Sequence, residues 1–180
     1  MKRIYTLKDK LLNVRGEQLK KIAENKEIND IKKILGLETG KEYTSVQDVH
    51  KYLRYGKVMY MTDQDLDGSH IKGLCINLFH SEWGSLTQIP GFLSFMNTPI
   101  LKAKKGSQEL VFYNDGEYET WKQANNDGKG WKVKYYKGLG TSTSSEFKEY
   151  FKNKRIIHFD KNSDTDSTMI DKIFNKNKAN

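Results

Sequence analysis

Apolar positions recur along the chain at two different periods. Between residues 17 and 35, Leu19, Ile22, Ala23, Ile28, Ile31, Ile34 and Leu35 fall near a helical spacing, and Gly36 and Gly40 mark the stop. That pattern predicts one helix, and "SVQDVHKYLR" (45–54) predicts a second. "KVMYMT" (57–62) is a short apolar run with Gly56 before it and Asp63 after it, which suits a buried strand. Ile71, Leu74, Cys75, Leu78 and Phe79 then give the i, i+3, i+4, i+7, i+8 stripe of another helix.

Beyond residue 90 the pattern changes. "GFLSFMNTPILKAKK" (91–105) and "QELVFYN" (108–114) read as strands, with Gly106-Ser107 as the turn between them. Asn114 with Glu117 predicts a capping box ahead of a helix over "EYETWKQAN", and "WKVKYY" (131–136) another strand. Thr143 with Glu146 predicts a capping box opening "SEFKEYFKN", and "RIIHF" (155–159) a last short strand. From Lys161 the chain is polar and is expected to be loosely held. The strand–loop–helix order at 57–80 is an α/β pattern, in which functional groups gather at the carboxyl end of a strand. An acidic loop, "TDQDLDGSH", lies at that end.

The 180 residues suffice for one domain with a core, or a domain plus an appendage. No apolar run approaches the roughly 18–20 residues that span a bilayer, so no membrane partner is expected. The start, "MKRIYTLKDKLLNVRG", lacks the apolar centre of a signal peptide. A single cysteine excludes an internal disulfide framework and a Cys-rich zinc site, and Cys75 reads as a small buried apolar residue. A net charge of +8 fits either a nucleic-acid partner or a merely lysine-rich surface. Its distribution favours the partner. Residues 128–138 hold four lysines and no acid, interleaved with Trp131, Tyr135 and Tyr136, whereas 17–33 mixes both signs as a solvated helix face does.

Asp63, Asp65 and Asp67 lie within five positions and repel one another unless something positive compensates them. An EF-hand loop would need a bidentate Glu where Leu74 stands, so that reading fails. A solvated turn remains, as does a site for a hard divalent cation such as Mg²⁺, held by few carboxylates and otherwise by water and phosphate. "KGLGTSTSSE" (137–146) is neither a P-loop nor a dinucleotide fingerprint, since Thr143 occupies the third glycine position. It offers a basic residue, a turn and a helix start, equally consistent with phosphate binding and with an ordinary cap. His50, His70, His80 and His158 show no metal-ligand spacing, and the hydroxyls of 141–145 have no evident base.

"LRYGKVMYMTDQDLDGSHIKGLCINLF" resembles the TOPRIM region of type II DNA topoisomerases of the eukaryotic and large-DNA-virus kind. "KYYKGLGTS" (134–142) does too, with "TPI" (98–100) and "FYN" (112–114) between the two in the family order, and "KLLNVR" and "IKKILGL" ahead of them. The resemblance implies a partial TOPRIM domain over 1–160: a Rossmann-like, mainly parallel sheet flanked by helices, with a β-rich insertion. It implies that residues 161–180 form a polar tail entering the next segment. Asp63, Asp65 and Asp67 would be the acidic triplet that binds Mg²⁺ beside the scissile phosphate, with Asp63 and Asp65 as direct, catalytic ligands and Gly68 and His70 supporting the loop. Lys10, Asn13, Tyr136 and Lys137 match residues that lie against DNA, and Lys134 is expected to join them as a phosphate contact.

Two departures from the family pattern stand out. Thr6-Leu7-Lys8-Asp9-Lys10 replaces the usual Pro-Leu-Arg-Gly-Lys, and Glu17 in "RGEQL" does not match the family's catalytic Glu. That Glu is expected ahead of residue 1 and the nucleophilic Tyr beyond residue 180, since none of the ten tyrosines here fits it. The resemblance thus implies a metal- and DNA-binding portion of an ATP-dependent enzyme that cleaves and religates both strands of duplex DNA. ATP would be bound elsewhere, by the segments or subunits that also supply the Glu and the Tyr. Alone the chain is expected to be inactive. Its expected location is intracellular, with DNA: the nucleus, or the cytoplasm or a viral factory. The rival readings are a non-catalytic remnant or interaction subunit that binds DNA, and a different TOPRIM enzyme, against which "KYYKGLGTS" argues.

Overall fold

The computed structural model describes residues 3–8, 10–136, 138–161 and 163–178. The helical stretch ahead of Gly36 is two helices, α1 (Leu19–Glu24) and α2 (Lys26–Leu35). Asn25 breaks the expected single helix: its backbone is extended and its side chain accepts the Ile28 N–H at 3.0 Å, so it caps a new helix. Gly36 ends α2 in the left-handed region, at φ 79°, a conformation that glycine adopts without steric cost. Helix α3 (Val46–Tyr52) opens on a capping box between Ser45 and Asp48.

Strand β1 (Val58–Tyr60) precedes the long helix α4 (Leu66–Glu82). The predicted strand over 91–105 is instead two strands in two sheets. β2 (Leu93–Met96) runs parallel to β1 in a sheet of order β1-β2-β6, and β3 (Leu101–Lys105) is the centre of a second sheet of order β4-β3-β5. Pro99 lies in the break and cannot donate to a ladder. β4 (Gln108–Phe112) and β5 (Lys132–Tyr135) both run antiparallel to β3. The two-residue turn at Gly106-Ser107 is as expected, with Gly106 at φ 59°. Helix α5 (Asp115–Ala124) is capped by Asn114, but the returning carboxylate of Glu117 takes the Tyr113 N–H, so the reciprocal box is incomplete. Helix α6 (Ser144–Lys152) has its full box between Thr143 and Glu146. β6 (Ile156–Phe159) and α7 (Asp164–Phe174) complete the chain.

The contacts divide the chain into two units. One holds residues 1–60, 70–95 and 158–180; the other holds 61–69 and 96–157. In the first, Leu74, Cys75, Leu78 and Phe79 of α4 are buried as the stripe predicted, with Phe92, Leu93 and Tyr43. Burial pushes the Cys75 thiol up to about 12, which makes it an inert apolar filler. In the second unit, Leu101, Ala103, Phe112 and Tyr118 form a smaller core, covered by Trp121 and Trp131.

The segment after Lys161 departs from expectation, because it forms a helix packed into the first unit. Ser163 and Asp166 make a capping box, Ile170 is buried, and Phe174 packs against the core. A polar network holds it there. Arg15 donates to Asn77 (3.0 Å), to Asp171 (3.1 Å) and to His80 Nδ1 (2.7 Å), while His80 Nε2 meets the Ser167 hydroxyl at 3.1 Å. Asn13 joins it, donating to the Phe174 carbonyl and accepting from Asn77. Polarity misled the sequence reading because this helix is anchored through hydrogen bonds as much as through apolar burial. Arg15→Ala should therefore destabilise the protein by about 2–4 kcal/mol, since it removes a donor from buried Asn77 and from half-buried Asp171 and His80. Lys20→Ala, which removes the exposed pair with Glu24, should change stability by less than about 0.5 kcal/mol. Urea unfolding midpoints of the two variants check both figures.

Candidate functional site

The acidic loop begins where β1 ends, in the unit that contains 61–69 and 96–157. Asp65 starts α4: its carboxylate Oδ1 accepts the Gly68 N–H at 2.7 Å and its carbonyl accepts the Ser69 N–H at 3.0 Å. Asp67 lies in the first turn of that helix, where a negative charge meets the positive end of the helix dipole. Gly68 is buried, and a Cβ placed there would stand 1.9 Å from the Asp63 carbonyl oxygen. Only glycine fits. The Asp-x-Asp-x-Asp-Gly spelling thus has a steric reason for its last letter.

Asp63 is half-buried, and its carboxylate is seated on the turn that follows β5. Asp63 Oδ1 accepts the Leu139 N–H at 2.6 Å. A Cβ on Gly138 would lie 2.8 Å from Asp63 Oδ2, so the close approach depends on glycine there as well. Gly138 and Leu139 and the acidic loop, far apart in the sequence, therefore meet at Asp63. The glycines on either side of Leu139 leave its backbone N–H open to a distant acceptor, but the sequence does not say which one.

Next to Asp63, the Thr62 hydroxyl oxygen is buried and has no hydrogen-bond partner among the described residues. No three His, Cys, Asp or Glu side chains among the described residues are grouped so as to hold a metal ion, so a closed protein cage is not what this loop builds. A Mg²⁺ ion needs less, taking one or two carboxylates and completing its octahedron with water or phosphate oxygens. The donor set fits that requirement. Asp63 and Asp65 each accept one backbone N–H on a single carboxylate oxygen, from Leu139 and Gly68 respectively, and retain acceptor capacity on the rest of the carboxylate.

The remaining expected residues fall in different surroundings. The His70 ring lies 6.4 Å from that of Phe174 in the other unit, which also contains Lys10 and Asn13. Lys10 is exposed, and Asn13 belongs to the Arg15 network described above. Lys137 lies outside the described residues. Lys134 and Tyr136 come together on Glu146: Lys134 Nζ is 3.3 Å from Oε1, the Tyr136 hydroxyl donates a short bond to the same oxygen, and Lys134 also sits 4.5 Å from the Tyr136 ring centre. Tyr136 is buried, and burial followed by the Glu146 contact pushes its phenol well up. Burial works against the charge on Glu146, yet bonds from Thr143, Tyr136 and Lys134 hold its carboxyl at about 2.

Lys102, which with Lys104 and Lys105 makes a second acid-free basic stretch in the sequence, is internal. It is 8% exposed, opposite Lys134 in the β3–β5 register, with Glu109, Glu146 and Glu149 at 3.5, 3.8 and 3.8 Å. Burial alone would lower its pKa; Tyr150 and the three carboxylates raise it instead. The available signal was a run of lysines in adjacent strands followed by Glu146 and Glu149, which lie one helical turn apart on α6.

Residues 96–180 match the family profile described as the C-terminal associated domain of TOPRIM. The chain is 52% identical over 177 residues to DNA topoisomerase 2 of Plasmodium falciparum, covering 96% of this chain and 12% of that protein. DNA topoisomerase 2-alpha of Rattus norvegicus is 51% identical over 175 residues, covering 96% of this chain and 11% of that one. The crystal structure of the Plasmodium falciparum topoisomerase II DNA-binding, cleavage and re-ligation domain superposes with a TM-score of 0.86 at 51% identity, over 94% of this chain and 23% of that chain. The chain thus spans about an eighth of the length of these relatives. With the acidic loop and the glycine turn joined in one site, and with identity at this level along nearly its whole length, the chain belongs to the type II DNA topoisomerases, in the region of their TOPRIM fold.

Proposed function

We propose that this chain supplies the Mg²⁺-binding and part of the DNA-binding surface of a type II topoisomerase. The observation that carries this reading is the pair of carboxylates at the carboxyl end of β1, one fixed by the Leu139 N–H and the other by the start of α4. A bound Mg²⁺ would stabilise charge on the oxygens that attack and leave the scissile phosphate. Asp63 and Asp65 are the direct ligands in this reading, and Asp67 adds negative charge from the first turn of the helix. Gly68 lets the loop fold tightly enough to bring Asp63 against the glycine turn. Lys10, Lys134 and Lys137 hold backbone phosphates of duplex DNA as point charges. Lys134 pairs with Glu146 at 3.3 Å, so a phosphate there competes with that carboxylate. Strand cleavage, religation, ATP binding and strand passage are proposed of the larger assembly, with the other segments that the longer relatives contain, and the cellular location is wherever that assembly meets DNA.

Titrating Mg²⁺ while following backbone amide shifts should move resonances concentrated in 62–70. Asp63→Asn combined with Asp65→Asn should abolish those shifts, and Asn at 65 still caps α4, so the helix start survives. Shifts that never concentrate there, or that persist in the double variant, contradict the site.

Binding to duplex DNA should weaken linearly in log K with log salt. Lys10→Ala and Lys137→Ala should each flatten the slope by about 0.9, and Lys134→Ala by less. Slopes unchanged in all three variants would mean that these lysines serve something other than DNA.

A further inference from the structure

Glu146 receives bonds from both ends of the glycine turn. On its amino side, the Tyr136 hydroxyl and Lys134 Nζ reach Oε1. On its carboxyl side, the Thr143 N–H donates to Oε2 at 2.7 Å and the Thr143 hydroxyl lies 3.1 Å from the same oxygen. Between those two anchors lie Gly138, against the Asp63 carboxylate, and Leu139, whose N–H holds it. The three carboxylates around Lys102 are not equivalent. Glu109 and Glu149 reach Lys102, whereas Glu146 alone among the three also takes the bonds from Tyr136 and Thr143. The cap on α6 alone needs only the Thr143 bonds, and neutralising Lys102 could be left to the other two acids. Neither requirement explains why one half-buried side chain joins the residue that follows β5 to the residue that opens α6.

We infer that Glu146 is a positioning residue for Asp63. By tying Tyr136 to Thr143 it fixes the span of the turn, and with it where the Leu139 N–H sits and how the Asp63 carboxylate is oriented toward a cation. Several charge-assisted bonds to one carboxylate make a stiff anchor, because each is stronger than a neutral bond and all share one rotamer. The inference rests on the reading of Asp63 as a metal ligand, and it adds a control on that ligand from a residue that never touches the metal.

Hydrogen exchange of the Leu139 amide in metal-free protein reads the positioning directly, with no activity assay. In Glu146→Gln, Leu139 should exchange on the order of tenfold faster, as expected when one charge-assisted hydrogen bond is lost, while the amides of β3 keep their rates. The same variant should need severalfold more Mg²⁺ to produce the amide shifts of 62–70. Tyr136→Phe removes one bond from Glu146 without its charge or the ring, and should show a smaller change in the same direction. It also decides the matter if Glu146→Gln loosens the whole sheet. Glu149→Gln, which alters Lys102 but neither anchor of the turn, should leave Leu139 unchanged. Unaltered Leu139 exchange and Mg²⁺ response in both Glu146→Gln and Tyr136→Phe overturn the inference, even where Asp63→Asn abolishes the Mg²⁺ shifts and so upholds the metal site. An effect of Glu149→Gln as large as that of Glu146→Gln overturns it too, because neutralising Lys102 would then be the cause.

Discussion

The hydrogen bond from the Leu139 N–H to the Asp63 carboxylate joins stretches 76 residues apart in sequence. It makes a site out of two motifs that are individually ambiguous. An ionised acceptor makes it stronger than an ordinary backbone bond. Two glycines make it sterically possible, because side chains at Gly68 or Gly138 would collide with the Asp63 backbone or with its carboxylate. Three mutually repelling aspartates could be no more than a solvated turn. Held this way, with Asp65 fixed in the helix start and Asp63 on the turn, two of them have defined orientations without the proposed cation. That is preorganisation in the physical sense: the ordering cost falls on folding and not on binding.

The lysine-rich strands beside this turn show a second balance of charge. β3 and β5 place Lys102 directly opposite Lys134, a like-charge pair that on its own is destabilising. Glu109, Glu146 and Glu149 offset it. The consequence for function is that part of a basic sequence run is internal. Tyr136 is buried against Glu146 and Lys134 is shared with it, so the charge that can face a polyanion is smaller than the number of lysines suggests.

Much of this fold was legible in the sequence, and the exceptions are informative. The α4 stripe, the hairpin turn at Gly106-Ser107 and the Thr143–Glu146 capping box are local features, and local spacing predicted them. The single helix over 17–35 failed because Asn25 satisfies a new helix start inside an apolar pattern that runs through it. The strand over 91–105 failed because an apolar run does not say which sheet each half joins. The tail from Lys161 was misread because the bonds that dock α7 come from Arg15 and Asn13, far away along the chain. The aspartates were visible as a cluster, but nothing local in the sequence tied Asp63 to Leu139, and the resemblance to type II topoisomerases pointed to the residues without supplying the contact.

The account stands or falls on whether a divalent cation binds these two carboxylates. Anomalous scattering from crystals soaked in Mn²⁺, a hard cation that accepts the same oxygen ligands, would locate it directly. The account predicts a peak bonded to a carboxylate oxygen of Asp63 or Asp65, with the Leu139 N–H still on Asp63. A Mn²⁺ site elsewhere, with these two carboxylates bare in the same crystals, would contradict it.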